Sequence, residues 1–368
     1  MTYPKLDINL RKLQYNAKIE VDSFSKIGIT IMGVNKVFNG LYETAEAIVN
    51  GGITVIAEAL VSNLKKIENL HCEKALLRSP ALSEIEDVIR YADISLNSEI
   101  DIVRELSKEA IKQNKIHKIL IMIDLGDLRE GIWFENKSEI EDFVSEVLSL
   151  PNIEIYGLAT NFNCYGTVLP TVKNNNLFIS IAKELENKFN FNFKYLSAGN
   201  ATSYYLIEQG LLPPEINHLR IGGLHQFGIE YAFGKYLDEY YHSDMDIKNF
   251  SSNLYILKAE IIELNIKPTI PFGELGFDAF MQKKSFIDKG NRKRAILSFG
   301  IQDIPYENIY ATDPLIKIVG QTSNHTIIDI EDCLTQYKLG DIISFELDYT
   351  ALLFACNSPG IEKSFVYD

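Results

Sequence analysis

The chain has 368 residues, 46% of them hydrophobic and 23% charged; that is too long for one small module, pointing to about two domains, and too apolar for a disordered polymer. Its formal net charge of −14 repels phosphate backbones and anionic lipid, which argues against nucleic acid and membrane as partners. The four cysteines stand far apart with no CxxC pair, the first residues lack a signal peptide's basic and apolar segments, and no run of 18 apolar residues occurs, so neither a metal knuckle nor a disulfide framework is expected and the chain reads as cytoplasmic.

In chain order, eight short apolar runs are predicted as strands: Thr30 to Lys36, Val55 to Ala59, Ala75 to Arg78, Ile94 to Leu96, Ile119 to Asp124, Ile155 to Asn161, Tyr195 to Ala198 and His218 to Ile221. Segments of helical period lie between them, among them Tyr42 to Asn50, Leu82 to Tyr91, Glu99 to Gln113, Lys137 to Leu148, Leu177 to Lys188 and Ser203 to Gln209. This alternation predicts an α/β fold, an N-terminal (β/α)8 TIM barrel over residues 1–234. An open doubly wound sheet is the alternative, although no G-x-G-x-x-G follows the first strand. After Gly234 the acidic, aromatic stretch Lys235 to Tyr241 leads into two-residue alternation. Residues 235–368 are therefore predicted to form an antiparallel β-domain, with strands Leu254 to Ile262, Arg294 to Phe299, Leu315 to Val319, Thr326 to Ile330 and Ile342 to Asp348.

Barrel chemistry sits where strands end, which singles out five places. Lys36 closes the first apolar run; it is either an ordinary surface lysine or a desolvated amine able to form a Schiff base. Arg129, in Asp124-Leu125-Gly126-Asp127-Leu128-Arg129-Glu130-Gly131, is either half of a solvated ion pair or a clamp for a carboxylate. Ser197-Ala198-Gly199-Asn200-Ala201-Thr202 suits an anion at a helix N-terminus, or simply a helix cap. Arg220 lies inside the eighth strand, before Gly222 and Gly223, and a buried arginine needs partners or a ligand. Tyr349, in Asp348-Tyr349-Thr350, reads by itself as an ordinary strand tyrosine.

The order of these stretches resembles the fold-type III pyridoxal-phosphate enzymes related to alanine racemase, and within them the ornithine racemase branch. The resemblance rests most heavily on Gly33-Val34-Asn35-Lys36-Val37 and Ile216-Asn217-His218-Leu219-Arg220-Ile221-Gly222, with further matches at Tyr3-Pro4-Lys5-Leu6-Asp7, around Arg129, at Asn163-Cys164-Tyr165-Gly166 and at Arg292 to Leu297. It implies a TIM barrel and a β-domain that complete two active sites across a homodimer, pyridoxal 5'-phosphate as cofactor, and a small-molecule substrate that is an amino acid. Lys36 would hold the cofactor, and Arg220 would face its ring nitrogen. Asn200, Ala201, Thr202, Gly222 and Gly223, helped by Tyr349, would surround its phosphate. Arg129 would lie toward the substrate carboxylate, and Asn161 over the ring. The implied reaction is racemisation of a polar or basic amino acid, ornithine-like or lysine-like, with removal and return of the α-proton.

Three departures accompany the resemblance. The stretch Ser298-Phe299-Gly300-Ile301-Gln302-Asp303 lacks the tyrosine that serves alanine racemase as second acid/base, leaving Asp303 and His325 as candidates. Gly223-Leu224-His225-Gln226-Phe227 replaces an acidic residue followed by an aliphatic run, with Glu58, Glu130, Glu274 and Asp278 as other acids that could meet a cationic side chain. Asn35 replaces a threonine. Competing functions are a decarboxylase or D-amino-acid lyase of the same fold and a non-catalytic cofactor carrier.

Overall fold

The computed structural model describes residues 2–230, 233, 235–236 and 249–367. Gly234 and residues 237–241, on which the predicted domain boundary falls, lie outside the described residues. The chain divides into two compact units, one of Leu10–Leu254 with the last two residues, the other of Met1–Asn9 with Tyr255–Val366. The predicted division at 234/235 is thus corrected: the break comes twenty residues later, and the first nine residues belong to the β unit.

Strand β1 (Lys5–Asn9) precedes the barrel strands, which run in order β2 (Thr30–Val34), β3 (Val55–Glu58), β4 (Glu73–Leu76), β5 (Ile94–Asn97), β6 (His117–Asp124), the two-residue β7 (Ile132–Trp133), β8 (Ile153–Thr160), β9 (Tyr195–Ala198) and β10 (His218–Ile221). Apart from β7, which hangs on the end of β6, each pairs in parallel with its neighbours. The ring closes through β10 with β2 and β5 with β6. Both faces of such strands are covered, so they read as unbroken apolar runs. Met32, Val34, Val55, Ala57, Ile94, Leu96, Leu120 and Met122 belong to one buried cluster, where each buried aliphatic side chain contributes about 2 kcal/mol.

The connecting helices are amphipathic and follow the expected places, including Tyr42–Asn50, Ile100–Lys112, Lys137–Ser149 and Val172–Phe189. The last starts at Thr171, whose hydroxyl accepts from the Asn174 N–H, a cap that satisfies an otherwise orphaned donor. Helix Leu10–Ser25 buries Leu13, Ala17 and Phe24. Beyond β10 lie the short helix Gly223–Phe227 and the small hairpin β11 (Ile229–Glu230) and β12 (Lys235–Tyr236).

The β unit contains β13 (Tyr255–Pro268), β14 (Asn291–Leu297), β15 (Ile309–Ala311), β16 (Lys317–Gln321), β17 (Thr326–Asp329), β18 (Ile342–Leu347) and β19 (Glu362–Val366). They form one largely antiparallel sheet in the order β15-β18-β13-β14-β17-β16. Strand β1 lies between β13, antiparallel, and β19, parallel. Asp348 caps helix Tyr349–Asn357 by accepting from the Ala351 N–H at 2.9 Å. Tyr349 therefore opens a helix and is not the strand residue its sequence suggests. The four cysteines are free thiols. Among the described residues no helix is long and apolar enough to cross a membrane.

Candidate active site

Strand β2 stops at Val34, two residues before its predicted end, and Lys36 opens a single helical turn, Lys36–Phe38. Val37 and Phe38 are fully buried. They anchor the turn from below and leave the Lys36 side chain exposed at the C-terminal end of the strand. Exposure here means contact with solvent in the barrel mouth and not freedom from the protein. The surrounding chain desolvates the amine and Arg129 repels its proton, so its pKa falls below the usual lysine value, with Cys164, Glu130 and Glu58 partly opposing.

Arg129 sits on the loop after β6, whose shape is set by two features. Asp124 Oδ1 accepts from the N–H groups of Gly126 and Leu128, at 2.8 and 3.2 Å. Gly131, at φ +129°, packs so tightly that a Cβ would fall 2.5 Å from the Asp124 nitrogen. Arg129 pairs with the Glu130 carboxylate and donates to Cys164 Sγ at 2.7 Å. Burial raises the Glu130 pKa, but the Arg129 hydrogen bond and charge win and hold it below the usual carboxylate value.

From Glu130 the contacts run inward. Asn161, at the end of β8, donates through Nδ2 to Glu130 Oε1 at 2.5 Å and accepts through Oδ1 from Arg220 at 2.6 Å. The buried Arg220 also donates to Thr160 O at 2.8 Å, Ser197 O at 3.3 Å and Ser197 Oγ at 2.6 Å. Burial lowers its pKa to about 10, still protonated at neutral pH. Beneath it, His218 Nδ1 lies 2.8 Å from Ser197 Oγ; burial and the Arg220 charge push this histidine down to about 3, so it is neutral. Arg220 is thus a buried cation linked by hydrogen bonds to the Glu130 carboxylate through the Asn161 amide.

The ends of β9 and β10 form two adjoining small-residue turns. Gly199 adopts φ +90°, and Asn200 Oδ1 accepts from both the N–H and the hydroxyl of Thr202, at 2.8 Å each. The Asn200 and Thr202 side chains are therefore engaged with one another. At Gly222 a Cβ would come 3.1 Å from Val34 O, so the backbone passes close to the end of β2, and Gln226 Nε2 donates to that same carbonyl at 2.7 Å. His225 faces elsewhere, forming a fully buried pair with Glu20 of helix Leu10–Ser25 at 2.6 Å. The His225-Gln226 departure thus serves packing of the last barrel helix and the tie to β2.

The barrel positions Lys36, Arg129, Asn161, Asn200 to Thr202, Arg220, Gly222 and Gly223 all lie at or near the C-terminal ends of the barrel strands, and hydrogen bonds join Arg129, through Glu130 and Asn161, to Arg220. Glu58 is fully buried, so its expected meeting with a cationic side chain is corrected. Asp303, His325 and Tyr349 belong to the β unit. Asp303 is buried in its own turn, accepting from the Ser358 hydroxyl at 2.6 Å and the Gly300 N–H at 3.3 Å, which uses its carboxylate structurally. His325 is exposed in a turn beside Thr322. Glu274 is exposed, and Asp278 accepts from the Phe280 and Gln282 N–H groups. Sequence reasoning missed Ser197 and Cys164 as partners of the two arginines. A polar residue one position before the end of an otherwise apolar strand was the available signal for Ser197.

Residues 8–226 match the family model for the alanine racemase N-terminal domain. Over 98% of this chain and 99% of the relative, the sequence is 40% identical to an ornithine racemase of Acetoanaerobium sticklandii. It is 34% identical to a lysine racemase of Thermotoga maritima, over 99% and 98%. Among solved structures, an alanine racemase of Bartonella henselae with covalently bound pyridoxal phosphate shares the fold at a TM-score of 0.72 and 14% identity, covering all of both chains. With the barrel, the strand-end residues and these likenesses together, the chain belongs to the alanine racemase family.

Proposed function

We propose that this protein is a pyridoxal-phosphate-dependent racemase of a basic amino acid of the ornithine or lysine class, working as a homodimer. The observation that carries the reading is the buried Arg220 guanidinium, fixed by Thr160, Asn161 and Ser197 on the same barrel face as a lysine of lowered pKa. The donor set fits the cofactor: an amine for its aldehyde at Lys36, a permanent cation for its ring nitrogen at Arg220, and close-approach backbone at Gly222 and Gly223, with Ala201 and Thr202 nearby for its phosphate. When bound, the cofactor supplies a sink for the electron pair left when an α-proton departs.

The chain's own residues do the rest. Lys36, with its amine shifted toward the neutral form, takes and returns the α-proton on one face. Arg220 presents positive charge where a carboxylate would invite protonation of a facing nitrogen, which restrains side reactions that need a long-lived carbanion. Arg129 offers a guanidinium to the substrate carboxylate, with Glu130 holding it in place. The formal net charge of −14 favours the approach of a cationic substrate. Since Asp303 is engaged with Ser358, His325 is the better of the two expected candidates for the second acid/base.

Incubating the cofactor-loaded enzyme with single enantiomers of ornithine and lysine, followed by chiral chromatography, tests this reading. Appearance of the opposite enantiomer supports it. Release of CO₂ or an aldehyde without inversion makes the protein a decarboxylase or lyase, and tight cofactor binding without turnover makes it a carrier.

A further inference from the structure

Asn35, the residue before Lys36, is fully buried, as are Glu58 at the end of β3 and Thr44. Asn35 Nδ2 donates to Glu58 Oε1 at 2.8 Å, and its Oδ1 accepts from the Thr44 hydroxyl at 3.1 Å. Glu58 Oε2 accepts from Asn63 Nδ2 at 3.3 Å, and the Gly40 N–H also bonds the carboxylate. One carboxylate therefore holds both ends of the turn 35–40 and ties them to helix Val61–Lys66. From the outer side, Lys66 Nζ donates to Asn39 O at 2.7 Å and Asn63 Oδ1 at 2.9 Å. Contact is close enough that a Cβ on Gly40, at φ +71°, would fall 2.9 Å from the Asn63 Cβ.

A buried carboxylate whose hydrogen bonds come from amides and not from a paired cation is costly unless it serves something. The charges that act on it or feel it are Lys66 of the helix and Lys36 of the turn. Burial pushes it up to about 7, so it is partly ionised at neutral pH, and when ionised it favours the protonated Lys36 amine.

We propose that Glu58 is a positioning residue of the active site, fixing the turn Asn35 to Gly40 and through it the placement and protonation of the Lys36 amine. This deepens the reading of Lys36 given above and rests on it. Glu58 touches no solvent-facing surface and acts only through the turn and its own charge.

The test is Glu58→Gln, which keeps the shape and removes the charge. Brief acetic anhydride labelling of the full chain over a pH series, read at Lys36 by peptide mass spectrometry, gives the amine's midpoint without cofactor. The midpoint is expected to fall by roughly half a unit or more. In the loaded enzyme kcat is expected to fall on the order of tenfold, with KM nearly unchanged. Glu58→Asp, which keeps the charge, is expected to restore the midpoint better than the rate. A folded Glu58→Gln variant with both midpoint and kcat unchanged overturns the inference, as does one that alters only the melting temperature. Should that variant fail to fold, Asn63→Ala removes one donor from the helix side, and hydrogen exchange at residues 36–40 is expected to quicken; unchanged exchange there overturns the inference. If borohydride reduction of loaded wild type labels a residue other than Lys36, the underlying reading of the site fails, while the amine midpoint still reports on Glu58.

Discussion

Removing the Arg220 guanidinium would take a donor from four acceptors, Thr160 O, Ser197 O, Ser197 Oγ and Asn161 Oδ1; Thr160 O keeps the Gly199 N–H and Ser197 Oγ keeps His218, so the loss falls mainly on Asn161 Oδ1 and Ser197 O. Each buried group left unpaired costs about 1–3 kcal/mol. Arg220→Ala is therefore expected to lower the unfolding free energy by roughly 2–4 kcal/mol, checked by urea denaturation, and to abolish racemisation. Acid sensitivity follows from three buried groups with opposite signs. His117 and His218 are held neutral by burial, at about 4 and about 3. Their folded values lie below the unfolded one, so the stability they contribute is present above pH 6.5 and is lost as the pH falls. Glu58, raised to about 7, contributes stability that is present below its unfolded value and is lost as the pH rises through 7. Between pH 6.5 and 5 the two effects oppose each other. Glu58→Gln removes the opposing one, so its stability is expected to fall more steeply with acidification than that of wild type, by about 1 kcal/mol per pH unit. Parallel slopes in urea midpoints measured across that window would contradict this assignment. The residue types of the site were legible in the sequence, because a lysine and an arginine at the ends of apolar runs are conspicuous. Their pairings were not: Asn161 meets Arg220 across 59 positions and Asn35 meets Glu58 across 23, and nothing local encodes such contacts.

At the scale of elements, the loop after β6 places Arg129 only because Gly131 lets it fold back onto the strand. A methyl group there would sit 2.5 Å from the Asp124 nitrogen at a φ of +129°, a conformation that L side chains rarely adopt. Gly131→Ala is expected to displace Arg129 and Glu130 together, raising KM for the amino acid on the order of tenfold or more while the barrel still folds; steady-state kinetics alongside circular dichroism separates the two. The eight barrel strands were readable since burial on both faces writes a continuous apolar run for each. Boundaries slipped where backbone geometry intervenes, as at β2, where Asn35 turns the chain before Lys36. Strand β13 runs six residues beyond its predicted end because its last part, Glu263 to Pro268, is mostly exposed and pairs with β14 instead of packing in a core. In the β unit three short strands, β1, β15 and β19, escaped prediction, since three to five residues give too little periodicity to recognise.

At the scale of the whole chain, the β unit draws its first strand from the opposite end of the sequence. Lys5–Asn9 pairs on one side with β13 and on the other with β19, a closure across about 250 and 360 positions that composition shifts near residue 235 could not reveal. Deleting residues 1–9 would expose two strand edges together with the buried Leu6 and Ile8. The truncated chain is expected to lose cooperative unfolding of the β unit, read as an early transition in a thermal melt; a melt identical to wild type would contradict the central place given to β1. The homodimer we propose is checked by light scattering, with about twice the chain mass of 41.8 kDa as the expected result. The claim on which the function rests is covalent attachment of the cofactor at one amine. Borohydride reduction of the cofactor-loaded enzyme followed by peptide mapping addresses it directly: a single reduced cofactor on the peptide containing Lys36, with Lys36→Ala unlabelled and unable to invert either enantiomer of ornithine or lysine, is the expected result, whereas labelling at another lysine, or an active Lys36→Ala variant, would contradict it.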